Sequence, residues 1–554
     1  MRSTSLPSAI RASSSSGATS SSLCPVRRRV VSRSVEKAKR TFVPAQIHTR
    51  QYSLFNSPHP SKPPPYGQPH PVSHPHLIST DELTPGIPPE EYEARRKRLI
   101  ESLGDGAKVV CMGGTVRLMS QSIFYRFRQA TDFYYLTGFN EPDATLILES
   151  APSTSRGYKY TLFVPPKDAH DALWEGERAG VEGAVSVFGA DEAYPNTSLS
   201  YHLSNILNLS HGQTLYASLP PKPSPSISSQ PFHPPSPRRR SSLLKLFSSA
   251  SSSSSSSSTM GVDINSNDPP HLMIAAALSS EFAQPLEKPI QQLRMIKSPL
   301  EIQQMKKAAD ISSLAHTKVM RSAKAGGRER DLEATFEYEC GIRGAERQAY
   351  VPVVASGANA LVIHYTRNDC VLDPNDLVLI DAGCEYNMYC SDITRTFPVS
   401  GQFSDPQRDL YTAVLNAQKE CVRRCTVEGG VTLSELHRAS CGLLLEELRQ
   451  IGFKLTVGDV ERTLYPHFLS HHLGSDLHDC PTRDRSATLV EGNVISIEPG
   501  VYVPYDYKFP KAFHGLGIRI EDEVAFTKDG PLVLSANAPK EIKDVEGACQ
   551  GLLG

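Results

Sequence analysis

Apolar and polar positions alternate regularly in two long stretches of the chain and lose all period in three others. Pro89-Glu90-Glu91-Tyr92 opens a charged helix that reaches about Leu103. Alternating or wholly apolar runs at 108–112, 145–149 and 159–164 then predict strands. This mixture predicts an α/β unit that starts near Pro85, with its patterned part ending near residue 215. Regular patterning resumes at Ser298-Pro299-Leu300-Glu301, a capping box with Ser as N-cap, Pro at N1 and Glu at N3. The helix it opens runs to about Met320. From there to about 540, apolar runs at 377–380, 494–497 and 523–526 predict strands, and 406–424 and 433–452 predict amphipathic helices. The expected division is a first unit at 85–285 and a second at 286–545.

Composition explains the stretches without a period. Residues 1–80 carry Arg2, Arg11, Arg27, Arg28, Arg29, Arg33, Arg40 and Arg50 among Ser and Ala, with Glu36 as the only acid before Asp81. An Arg-rich, Ser-rich, acid-poor N-terminus has the composition of a mitochondrial transit peptide, which predicts a matrix address. Arg50-Gln51-Tyr52-Ser53 reads as a processing site, and residues 58–76, rich in Pro and His, as an extended linker. Residues 219–270 are dominated by Pro and Ser, including unbroken serine at 251–258, and are expected to form a flexible insertion. Within it, Arg238-Arg239-Arg240-Ser241 reads as a solvated charge run rather than a kinase site.

A net charge of -1 gives no bias toward nucleic acid, and none is expected as a partner. No apolar run approaches the ~18–20 residues that span a bilayer. The chain therefore reads as soluble or peripherally attached, peripheral inner-membrane association included. Its 11 cysteines are scattered without a C-x-x-C pair. Cys421 and Cys425, one helical turn apart, read as ordinary thiols, and the whole pattern fits a reducing compartment.

The candidate chemistry lies in the second stretch. Asp381 ends the apolar run 377–380, where a lone carboxylate is costly unless paired, hydrogen-bonded or metal-bound. Asp392 follows in Ser391-Asp392-Ile393-Thr394-Arg395-Thr396, and Gly383 permits a hairpin that turns both aspartates toward one point. Glu498 ends the run 494–497 before Pro499-Gly500. Arg519 and Glu521 share one strand face in Gly517-Ile518-Arg519-Ile520-Glu521-Asp522. His467, His471, His472 and His478 crowd around Gly474. Four acids and one imidazole make a hard, oxygen-rich donor set suited to Mn, Co or Mg-like ions. Each element alone is ordinary turn or core chemistry; only the ordered set is specific.

That ordered set resembles the metal-binding motifs of the pita-bread metallopeptidases. It runs from Asp381-Ala382-Gly383 and Asp392-Ile393-Thr394-Arg395-Thr396 through His471 to Asp479, then Glu498-Pro499-Gly500 and Arg519-Ile520-Glu521-Asp522. Within the family the chain is most similar to aminopeptidase P. Arg128-Gln129, the run from Asp132 to Phe139, and Trp174-Glu175-Gly176-Glu177-Arg178 resemble that enzyme's N-terminal domain. The transit-like N-terminus resembles the mitochondrial branch, which includes the intermediate cleaving peptidase.

The resemblance implies an α/β (α+β) fold: a creatinase-like α/β domain followed by a pita-bread domain with a pseudo-twofold antiparallel sheet. It implies two divalent metal ions, most simply Mn²⁺, on Asp381, Asp392, His471, Glu498 and Glu521, holding a hydroxide between them. Glu498 is then also the proton carrier, His364, His467 and His478 meet the substrate, and Arg519 orients Glu521. His472 has no counterpart and reads as structural. The expected activity removes one N-terminal residue from peptides or presequence-processed proteins, in a homodimer or homotetramer, with Asp132 a candidate for holding the free amine. A prolidase-type dipeptidase and a non-catalytic binding protein are the alternatives. The mitochondrial relatives imply a preference for Tyr, Leu or Phe over an Xaa-Pro end.

Overall fold

A computed structural model describes residues 60–207, 209, 212–219 and 268–553. The transit-like segment up to residue 59, the Arg50–Ser53 processing site and most of the serine-rich insertion, Arg238-Arg239-Arg240 included, lie outside the described residues.

The first half is a six-stranded mixed sheet. Its order is Glu192–Pro195, Tyr158–Val164, Thr145–Ser150, Ala107–Met112, Thr214–Ser218 and Ala283–Pro285. Ala107–Met112 runs antiparallel to Thr145–Ser150 and parallel to Thr214–Ser218. Val109 and Cys111, on one face, join a core with Tyr92, Leu99, Phe133 and Leu146, while Val110 on the other face packs with Leu203 and Ile274. Both faces are thus covered, which is why these runs read as nearly continuous apolar segments. The sheet does not stop at residue 215, because it takes Ala283–Pro285 from beyond the insertion as its edge strand. Three residues are too few to show an alternation.

Residues 60–80 are docked rather than extended as a linker. Gln68 donates to Gly138 O at 3.1 Å and accepts from Asn140 N at 2.6 Å, and Gly67 N donates to Glu141 Oε1 at 2.9 Å. Polar side chains, invisible to hydrophobic patterning, hold this strap. The helix Thr131–Thr137 ends at Gly138, whose φ of 66° is left-handed and where a Cβ would lie 2.9 Å from the Tyr92 ring.

The second half opens with the 24-residue helix Pro299–Ser322, and its capping box forms in both directions, Ser298 N to Glu301 Oε2 at 2.9 Å and Glu301 N to Ser298 Oγ at 3.4 Å. Helices Asp405–Arg423 and Leu433–Gln450 sit where the apolar period places them. The strands form short antiparallel ladders. Val353–Ser356, Leu377–Asp381 and Thr394–Pro398 make one; Val494–Ile497, Asp522–Thr527 and Gly530–Val533 make another; Gly500–Tyr502 pairs with Gly517–Arg519. Their apolar faces meet the helices in one large core that includes Ile380, Phe397, Leu410, Leu444, Ile497 and Val524. Each such side chain contributes roughly 1.5–3 kcal/mol on burial, so the ladders are fixed from behind while their polar ends converge in front.

Candidate metal centre

Asp381 is the last residue of its strand and pairs with Thr394, two residues after Asp392. The chain between the two aspartates folds back so tightly that a Cβ on Gly383 would lie 1.8 Å from Ser391 O. Only glycine permits that approach, and it brings the two carboxylates together. The Tyr350 hydroxyl lies 2.5 Å from Asp381 Oδ1 and 2.6 Å from Asp392 Oδ1.

His471 faces them. Its Nδ1 lies 3.0 Å from the His472 carbonyl, which can only accept, so Nδ1 carries a proton and Nε2 is the nitrogen that faces the acids. Nε2 is 3.2 Å from Asp392 Oδ2 and 3.7 Å from Glu498 Oε1. Asp392, His471 and Glu521 each offer a donor atom within 4.8 Å of the others. Ser496 steadies the group, its backbone-fixed hydroxyl standing 3.3 Å from Glu498 Oε1 and 3.1 Å from His471 N.

The electrostatics show an unmet need for positive charge. Burial, reinforced by Asp392 and Asp381, lifts the Glu498 pKa to about 8 against the pull of His471 and Arg519. Burial and the neighbouring carboxylates push Glu521 well above the usual range and raise Asp392. Burial alone would lower the His471 pKa, but Asp392 and Glu498 outweigh it and raise it to about 9. Four carboxylates thus face one another with Arg519 as the permanent cation among them. A hard oxygen-rich set with an imidazole nitrogen facing it and surplus negative charge fits divalent ions.

Arg519 is placed differently from the expectation. Its NH2 pairs with Asp381 Oδ2 at 2.6 Å, NH1 reaches the Tyr502 hydroxyl at 2.6 Å, and Nε reaches Thr394 Oγ1 at 3.1 Å. Glu521 is met only through Thr394, whose hydroxyl donates to Glu521 Oε2 at 2.6 Å. The i,i+2 rule fails here because the chain leaves the ladder between Arg519 and Asp522.

The other histidines divide. The His467 ring lies between Phe468 O and the Tyr502 hydroxyl, each at 2.9 Å, with Nδ1 3.7 Å from Glu498 Oε2. Burial, with Arg519 adding, lowers its pKa to about 3, so it is neutral. His478 packs its ring on that of His471 at 4.4 Å. His364 is exposed. The buried His472 holds the loop through its backbone, bridging to Asp479 and Ile495. Asp132 pairs with Arg294 at 2.6 Å.

Tyr350, Tyr502, Thr394 and Ser496 escaped the sequence reading. Tyr502 carries a weak signal as a strand neighbour two residues from Gly500; Tyr350 carries none. Glu523 also escaped it: fully buried, it accepts from Asp392 N at 2.8 Å, and burial pushes its pKa well above the usual range.

Residues 303–528 match the description of metallopeptidase family M24, and residues 92–216 that of the aminopeptidase P N-terminal domain. Xaa-Pro aminopeptidase 3 of Homo sapiens is 36% identical over 516 residues, covering 90% of this chain and 94% of the relative. Intermediate cleaving peptidase 55, mitochondrial, of Arabidopsis thaliana is 38% identical over 480 residues, covering 87% of each. The crystal structure of Icp55 from Saccharomyces cerevisiae superposes with a TM-score of 0.71 at 35% identity, covering 85% of this chain and all of that one, 100%.

Proposed function

The chain belongs to metallopeptidase family M24, with an aminopeptidase P-type N-terminal domain ahead of the catalytic one, and on that premise we propose that it removes a single residue from the N-termini of peptides and of presequence-processed proteins in the mitochondrial matrix. The observation that carries this reading is the gathering of Asp392, His471 and Glu521, whose donor atoms lie within 4.8 Å of one another, with Glu498 3.7 Å from His471 Nε2 and Asp381 tied to Asp392 through the Tyr350 hydroxyl. The division into a domain at 85–285 and a catalytic domain at 286–545 belongs to the same proposal, as does assembly into a homodimer or homotetramer.

Asp381, Asp392, His471, Glu498 and Glu521 would hold two divalent ions, Mn²⁺ by the hardness of the donors, and the ions would supply Lewis-acid activation of water and of the scissile carbonyl. The chain's own groups do the rest. Glu498 takes a proton at its carboxylate from the attacking water and returns it to the leaving nitrogen. Neutral His467, held with Nδ1–H donated to Phe468 O and Nε2 accepting from the Tyr502 hydroxyl, would line the substrate side of the centre, and His364 and His478 would orient the residues beyond the cut. Arg519 aims Asp381, and Tyr350 holds Asp381 and Asp392 at a fixed separation.

The names of the relatives give two substrate classes, an Xaa-Pro end and a cleavage intermediate, which we read here as the new end of a trimmed presequence. The Arg50-Gln51-Tyr52-Ser53 sequence favours the second, because removal of Tyr52 would be self-processing of the expected kind. The test offers the purified protein, with Mn²⁺, a peptide beginning Tyr-Ser, a longer Xaa-Pro peptide and an Xaa-Pro dipeptide. Release of Tyr from the first is the expected result. Cleavage of the dipeptide alone would make the protein a prolidase-type dipeptidase, and cleavage of none would make it a non-catalytic binder.

A further inference from the structure

The candidate centre hangs on two excursions of the chain, residues 381–392 and residues 471–478, and neither is free. Glu385, on the hairpin strand Cys384–Tyr386 of the first, is 1% exposed. Its Oε2 accepts from Arg128 Nε at 2.5 Å and its Oε1 from the Arg347 guanidinium. Ser475, in the second, gives its carbonyl to Arg128 NH2 at 2.6 Å. One guanidinium of the first half therefore bridges both excursions.

The place of Arg128 is fixed by its neighbour. Gln129 is buried and uses its whole amide: Oε1 accepts from Gly114 N at 2.5 Å and Ala130 N at 2.9 Å, and Nε2 donates to Phe139 O at 3.1 Å and Glu141 O at 2.8 Å. The loop is thus locked to the backbone on both sides of the helix Thr131–Thr137, and Arg128 projects from a rigid base. Its third nitrogen, NH1, donates to Thr131 Oγ1 at 3.1 Å, and that hydroxyl donates to Asp476 Oδ1 at 2.6 Å. Every nitrogen of the fork has its own acceptor, a geometry an ammonium cannot reproduce.

We propose that Arg128 is a positioning residue for the metal centre: by tying Glu385 to Ser475 it sets the spacing between the Asp381–Asp392 pair and the His471–His478 pair, so that the first half tunes the centre without touching a reacting group. This rests on the reading of Asp392 and His471 as ligands. Ligand sets tolerate displacements of only about 0.5 Å, and removal of an outer partner typically costs ten- to a hundredfold in metal affinity.

The test titrates Mn²⁺ into the full-length, chelator-treated protein by calorimetry and records the metal-free unfolding temperature of each variant. Arg96 is the control. It too is a buried arginine of the first half, but its hydrogen bonds go to Tyr158 Oη at 3.1 Å and Leu136 O at 2.8 Å, within that half. Arg128→Lys is expected to weaken Mn²⁺ binding about ten- to a hundredfold, Glu385→Gln to do the same, and the double variant to add little. Arg96→Lys is expected to lower the unfolding temperature while leaving the affinity unchanged. Affinity within about twofold of wild type in both Arg128→Lys and Glu385→Gln would overturn the proposal, as would an equal loss in Arg96→Lys at an equal drop in unfolding temperature. Wild-type affinity in Asp392→Asn would instead remove the ligand reading, and the proposal with it.

Discussion

Glu521 and Asp522 are adjacent in the chain and almost equally buried, at 1% and 0% exposed, yet their circumstances are opposite. Asp522 is met by Arg395 at 2.8 Å, by the Lys540 ammonium, by Gln418 Nε2 at 2.8 Å and by Ser535 Oγ at 2.8 Å. Burial would raise its pKa, but Arg395 and Lys540 hold it well below the usual carboxylate range. Asp479, at the far side of the histidine loop, is held down in the same way by Arg294 and Lys297. Glu521 points into the pocket it shares with Asp392 and Glu498, and its pKa moves the other way. The fold supplies two cations to each of the structural acids Asp522 and Asp479. At the candidate centre a single guanidinium, that of Arg519, stands among four carboxylates, which leaves the negative surplus that a site taking further cations from solution requires.

The largest effect should separate the two neighbours. Glu521→Gln should abolish activity by about a thousandfold or more, judged against the 10²–10⁴ of a single acid–base group, while leaving the metal-free unfolding temperature equal or higher. Asp522→Asn should do the reverse to stability, costing about 3–5 kcal/mol because the buried Arg395 and the half-buried Lys540 are left without their partner. Denaturant unfolding of both variants without metal checks this, and equal destabilisation would break the comparison.

Chelation should give the next largest effect. Stripping metal from wild type should lower its unfolding temperature, by the equivalent of about 2.7 kcal/mol at a hundredfold excess over the dissociation constant. The Glu521→Gln variant should show a smaller shift or none. Thermal scans with and without chelator read the difference.

The smallest effect is one of pH, and its sign follows from the raised acids. In the metal-free protein the folded pKa of Glu498 is about 8 against an ordinary 4.5. The protonated form therefore favours the fold. Its contribution is full below 4.5 and lost as pH rises through 8. His471, raised from 6.5 to about 9, loses its contribution over a higher window in the same direction. Metal-free wild type should thus lose stability relative to Glu498→Gln as pH rises from 4.5 to 8. Asp522, depressed, contributes only above its ordinary 3.8 and loses that stability as pH falls below it. A stability difference that stays flat over the upper window would show that Glu498 does not carry the surplus charge.

Much of this was legible in the sequence. Asp381 and Glu498 betray themselves as acids closing apolar runs, and Ser298-Pro299-Leu300-Glu301 fixes its helix start by local chemistry alone. Asp392, His471 and Glu521 needed the ordered set, since each alone is ordinary. What stayed hidden depends on contacts between distant segments. Tyr350 meets Asp381 and Asp392 from a strand neighbour with no period of its own, and Arg519 finds Asp381 rather than Glu521 because the backbone leaves the ladder between them. The strap around Gln68 docks through amide hydrogen bonds, so its Pro-rich composition could indicate the absence of helix and strand but not the presence of a place to lie.

The account stands most directly on one measurement: calorimetric titration of chelator-treated protein with Mn²⁺, for wild type and for Asp392→Asn. It predicts uptake of about two ions by wild type, as a shared-carboxylate centre requires, with proton release as Glu498 and His471 deprotonate, and loss of that uptake in the variant. Wild type that takes up no ion, or a variant that binds as wild type does, would contradict it.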